Sequence, residues 1–143
     1  MKSWVDTVEA HNNNWLVLVF HGVDGKGWEA LPGSLLQEYF SYIKQHENNS
    51  WVATFGDVTK YMRERMSANV DSKMDGNKIS VDLTHSLDKS MYDQPLTLRT
   101  SVPASWKKVT VKQGDHVQQV TAKNGVIIYD LMPNEGTAVI INK

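Results

Sequence analysis

The run Trp15-Leu-Val-Leu-Val-Phe20, followed at once by His21-Gly-Val-Asp24-Gly-Lys-Gly-Trp28-Glu29, decides how the fold is read. Six consecutive apolar residues predict a strand buried on both faces. A loop of His, Asp, Trp, Glu and glycines at the end of such a strand is where α/β proteins place their chemistry. Outward from this corner, helix-like and strand-like segments alternate over residues 1–68. Val5 and Val8, with Trp4 and His11, fall on one face of a short amphipathic helix that Asn12-Asn-Asn14 ends. Leu31-Pro-Gly-Ser34 opens a second helix with Ser34 as N-cap, and Leu35, Leu36, Tyr39, Phe40 and Ile43 form its apolar face. Trp51-Val-Ala-Thr-Phe55 reads as a second short strand. A third helix then has Asp57 as N-cap and turns Val58, Tyr61, Met62 and Met66 to the core. The order αβαβα predicts a parallel sheet.

Residues 69–143 change period. Ile79–Leu83, Leu96–Arg99, Val109–Lys112 and Val117–Val120 alternate apolar and polar, while Val126–Tyr129 and Ala138–Ile141 are more continuously apolar. Asp75-Gly76, Gly114-Asp115, Asn124-Gly125 and Pro133-Asn-Glu-Gly136 punctuate them, and Asn124-Gly125 is the strongest hairpin signal. Short strands at this spacing predict a small antiparallel β-sandwich. The boundary is expected near residues 68–70, with the third helix free to pack on the sandwich.

The α/β half is incomplete on its own terms. Two parallel strands leave bare edges, and Trp15–Phe20 is too apolar to stay uncovered. Either the sandwich covers it, or residues 1–68 are the tail of a larger barrel, or a second copy pairs with it. Composition restricts the partners. Of 143 residues, 41% are hydrophobic and 22% charged, and the net charge of -1 gives no attraction to nucleic acid or an anionic membrane. No apolar run approaches a membrane span of about 20 residues. The first ten residues carry acids where a signal peptide needs an apolar stretch, so no export signal is expected in this chain. The absence of cysteine removes disulfides, thiolate metal sites and a Cys nucleophile.

The first half resembles the C-terminal end of the polysaccharide deacetylase family, the NodB-like carbohydrate esterases. The matching text is Trp15-Leu-Val-Leu-Val-Phe-His21-Gly-Val, a helix, then Trp51-Val-Ala-Thr-Phe-Gly-Asp-Val-Thr-Lys-Tyr-Met-Arg-Glu-Arg65. The resemblance implies a distorted (β/α) barrel whose last strands and helices are residues 1–68, followed by a β-rich extension over residues 69–143. It implies hydrolysis of acetyl groups on a glycan by bacterial, periplasmic or secreted enzymes that use a divalent metal such as zinc. In the motif Leu18-Val-Phe-His21 it implies a general acid at His21 and an acetyl-pocket wall at Leu18. The family's Asp-Asp and His-x-x-x-His motifs have no counterpart, since the histidines are His11, His21, His46, His85 and His116. No metal ligand is assigned, and the chain alone is expected to be a partial or catalytically incomplete deacetylase. The alternative is a non-catalytic carbohydrate-binding or protein-interaction module.

Each candidate side chain also has a structural explanation. His21 suits proton transfer near neutrality, or a backbone hydrogen bond at a turn. Asp24 and Glu29 form an acid/base pair, or a turn former and a helix-start charge. Trp28 stacks on a sugar ring, or caps the barrel mouth or packs on Trp51. His85 with Asp82 and Asp88 suggests a metal only if strand geometry converges them. Lys60, Arg63 and Arg65 read as a solvated patch paired with Glu64. No Gly-x-Ser-x-Gly or His-Glu-x-x-His motif occurs. The expected partners are a glycan bound through Trp28, Asp24 and Leu18, and a second copy over the bare sheet edge.

Overall fold

The computed structural model describes residues 1–11 and 14–143; the Asn12-Asn13 part of the expected helix stop lies outside them. The chain divides into two compact units, residues 1–55 and 56–143.

The first unit holds helix α1 (Lys2–Ala10), a hairpin of two-residue strands β1 (Gly22–Val23) and β2 (Lys26–Gly27), and helix α2 (Gly33–Gln45). Val5 of α1 and Leu36 and Tyr39 of α2 are buried. Tyr42 donates to Asp6, His46 Nδ1 donates to Glu9 Oε2 at 2.6 Å, and Lys2 pairs with Glu38. That lysine holds the Glu38 carboxyl below the usual carboxylate range. Burial pushes the Tyr39 phenol up.

The parallel α/β sheet expected here does not form. Trp15–Phe20 and Trp51–Thr54 join no sheet, and the described residues carry no barrel strands. An apolar hexamer is only half of a strand, because the ladder that defines one needs a neighbour to accept its backbone bonds. Trp15–Phe20 keeps the period of two: Leu16, Leu18 and Phe20 are half-buried, while Trp15, Val17 and Val19 are exposed.

The second unit begins at helix α3 (Phe55–Ser67), whose first residue belongs to the preceding unit. It continues through β3 (Asn69–Asp75), β4 (Lys78–Thr84), β5 (Leu96–Ser101), β6 (Lys108–Gln113), β7 (His116–Thr121), β8 (Val126–Leu131) and β9 (Ala138–Asn142). A five-stranded sheet in the order β3-β4-β9-β6-β7 and a pair β5-β8 are antiparallel throughout. Alternate residues of both sheets make one core, including Val81, Leu83, Leu98, Val109, Val111, Ile127, Leu131 and Ile140. This is a β-sandwich arrangement, as the alternation of residues 69–143 predicts. Strand β3 escapes the sequence pattern because all seven of its residues are exposed and no apolar period marks it.

Two glutamines stitch the sheets together. Gln113 of β6, buried, donates to Met132 O at 2.8 Å and accepts from Met132 N at 2.9 Å. Gln118 of β7 makes the same two-way bond with the backbone of Asp130 on β8. Each side-chain amide stands in for the backbone amide of an absent ladder partner. Asn124-Gly125 forms a two-residue turn with both residues left-handed, at φ 52° and 72°. It closes on paired bonds between Lys123 and Val126, yet carries the chain from one sheet to the other instead of joining neighbours in one sheet.

Helix α3 is rotated from its expected face by about one residue, or about 100°. Tyr61 and, just past the helix, Ala68 pack on the sandwich core, Glu64 is fully buried, and Met66 is 83% exposed. Asp57 sits in the first turn, where an acid suits the helix dipole, instead of at the cap. The basic patch is not paired with Glu64: Lys60 bonds Asp93 at 2.9 Å, and Arg63 lies over the Tyr92 ring.

Candidate functional site

The loop singled out by the sequence folds as a clamped hairpin. Asp24 and Gly25, at φ 51° and 76°, occupy the two central positions of the turn between β1 and β2. Positive φ at both marks the primed hairpin turn that an Asp-Gly pair favours. Gly27, at φ 99°, is required by space as well as conformation, since a Cβ there would lie 2.3 Å from the His21 carbonyl oxygen. Asp24 N donates to Leu31 O at 3.0 Å and Leu31 N to Gly22 O at 3.1 Å, fastening the hairpin to the chain that enters α2.

Asp24 also decides how α2 begins. Its Oδ1 accepts from Gly33 N at 2.7 Å, at the first residue of the helix. Pro32 occupies the N-cap position and makes no side-chain cap bond, so Asp24 supplies from nine residues upstream the acceptor expected of Ser34. The carboxylate is thereby turned to helix capping. Glu29 is exposed and left-handed, at φ 47°, a conformation that a residue with a Cβ adopts only when its surroundings hold it.

That clamp displays an aromatic pair. The His21 and Trp28 rings meet edge to face, 5.0 Å between centroids at 76°. Both are exposed, and Trp28 shows 67% of its surface. Of the residues expected to act together, the structure brings His21 to Trp28 and gives Asp24 to the helix start. Leu18 lies with Leu16 and Phe20 on the half-buried side of its segment, where Phe20 meets Phe40 of α2 edge-on at 6.2 Å. An open apolar hollow of about 430 Å³ is walled by Val23 of the hairpin and by Leu36, Phe40 and Lys44 of α2.

Elsewhere the candidate metal set separates into structural contacts. Asp82 accepts from Thr137, and Asp88 accepts the N–H and hydroxyl of Ser90, which hold its carboxyl below the usual range. His85 turns inward to Glu64. Among the described residues no group of three or more His, Asp or Glu is placed to hold a metal ion. No described helix is long and apolar enough to cross a membrane.

Sequence reasoning missed the Glu64–His85–Asn134 group. Glu64 Oε1 accepts from Gln94 N at 3.0 Å, and Oε2 faces His85 Nε2 at 3.4 Å. His85 Nδ1 accepts from Leu87 N at 3.2 Å, so Nε2 is the ring nitrogen turned to Glu64. Asn134 Nδ2 also meets Nδ1, and its Oδ1 accepts from His85 N. Only the 61, 64, 68 spacing could have shown Glu64 as inward, and its charge argues the other way.

Comparison with known proteins corrects the deacetylase resemblance. No family model and no solved structure matches the chain. The chain is similar to a gellan lyase from a Bacillus species, 24% identical over 143 residues, covering 92% of this chain and 6% of that protein. It therefore spans a small fraction of the length of that relative. The likeness is to a lyase, not to a carbohydrate esterase, and the described residues carry none of the barrel strands on which the esterase reading rested.

Proposed function

We propose that this chain is a non-catalytic, glycan-binding module of a polysaccharide-acting protein. The observation that carries this is Trp28, an indole two-thirds exposed and held against His21 on a hairpin that Asp24 ties to α2. An exposed ring fixed in place offers the apolar face of a sugar a flat partner at little ordering cost. The His21 ring beside it supplies a polar edge for a hydroxyl. The similarity to a gellan lyase supports a polysaccharide as the ligand class, and the small share of that protein covered suits an accessory part.

Calorimetric titration with gellan tests the proposal. Binding is expected to weaken about tenfold in Trp28→Ala, equivalent to about 1.4 kcal/mol, with a smaller loss in His21→Ala. The viscosity of gellan is expected to stay constant during incubation, because the module binds without cleaving. Equal affinity of wild type and Trp28→Ala, or a falling viscosity, would overturn the assignment.

A further inference from the structure

The first unit carries a second apolar feature that the hairpin does not use. Trp15, Val17 and Val19 lie on the exposed side of their segment, and Trp51, Val52 and Phe55 are exposed on another, with exposures from 41% at Trp15 to 72% at Val19. The two strips adjoin, because the Trp15 and Phe55 rings lie 4.9 Å apart and tilted by 31°. Residues 14–20 and 48–56 contain no Asp, Glu, Lys or Arg. Taking 150–250 Å² for a whole aromatic side chain and somewhat less for valine, the six residues bare roughly 600 Å². The largest patch on a typical monomer is about 300–600 Å².

We propose that a second copy of this chain covers this face. Packed about a two-fold axis, the Trp15–Val19 strip of one copy lies on the Trp51–Phe55 strip of its partner, and the same contact repeats in reverse. Two such faces bury roughly 1,200 Å², the lower end of the range for stable specific interfaces. A net charge of -1 leaves little repulsion between copies. Chemistry separates this face from the glycan site. Three of its six side chains are β-branched aliphatics with no polar atom, suited to a protein surface and not to sugar hydroxyls. Trp28 lies outside both strips, so the dimer does not depend on the glycan-binding assignment.

Sedimentation equilibrium of the full chain across the micromolar range tests the interface. The expected mass is that of a dimer in reversible exchange with monomer. Val19→Lys and Val52→Glu are surface changes that preserve the circular dichroism spectrum, and each raises the dimer dissociation constant tenfold or more, because a charge would be buried unpaired. A wild type that is monomeric throughout the range overturns the proposal, whether the face then takes up gellan or a different polypeptide. Polydisperse aggregates, or a dimer indifferent to both substitutions, overturn it as well.

Discussion

Asp24 shows how one side chain serves chemistry that its sequence setting disguises. In a Gly-rich loop beside His21 it reads as an acid or base, yet its carboxylate ends on Gly33 N and its backbone makes the left-handed turn. These two duties predict a specific mutational pattern. Asp24→Asn keeps an oxygen for Gly33 N and keeps a residue that tolerates the turn, so stability and glycan affinity stay near wild type. Asp24→Ala loses both and lowers unfolding stability by about 0.5–2 kcal/mol. Urea denaturation of the two variants checks this, and an Asn variant as impaired as the Ala variant would restore an ionisation role for Asp24. Trp28 is the reverse case. Trp51 is the aromatic partner that the sequence offers it, but the ring it meets is His21, seven residues upstream and brought back by the hairpin turn.

At the scale of elements, α3 is oriented by a polar contact that apolar periodicity cannot report. Gln94 N donates to Glu64 Oε1, and His85 Nε2 faces the other carboxylate oxygen at 3.4 Å without a hydrogen bond. A carboxylate turns an oxygen to each of them, whereas a glutamine amide must turn its NH₂ towards one. Glu64→Gln is therefore expected to cost about 1–3 kcal/mol, the penalty of disturbing a fully buried polar group that accepts from Gln94 N. Urea denaturation combined with His85→Ala in a double-mutant cycle isolates the coupling, and an unchanged midpoint in Glu64→Gln would remove the contact from the fold's energetics. Strands β4, β5 and β6 were legible because one buried face imprints a period of two, while β8 and β9 showed as short apolar runs between turn signals. Strand β3 was not, because it is exposed along its whole length. The stitches from Gln113 and Gln118 were not, because a side-chain amide carries no sign in sequence of the backbone it will meet.

At the scale of the whole molecule, the two units differ in how much core each encloses. Residues 56–143 bury a continuous apolar cluster drawn from both sheets, whereas among the described residues of 1–55 the buried apolar side chains are Val5, Leu36 and Tyr39. The smaller core predicts two thermal transitions, the first belonging to residues 1–55. Leu36→Ala is expected to lower only the first and Ile127→Ala only the second, each by the roughly 2–5 kcal/mol of a large-to-small core change. Differential scanning calorimetry reads both, and a single transition moved by either substitution would make the chain one cooperative unit.

The amino-acid order alone determined the sandwich strands of the second unit other than β3, the two principal helices of the first and the special status of the loop after Phe20. These are properties of local period and turn chemistry, which each segment carries by itself. The tertiary structure decided that Trp15–Phe20 is no barrel strand, that Asp24 caps a helix, and that Glu64 points inward. A strand, a cap and a buried charge are each completed by a group distant in sequence. Their physical cause lies in the partner that satisfies them, and periodicity does not name that partner.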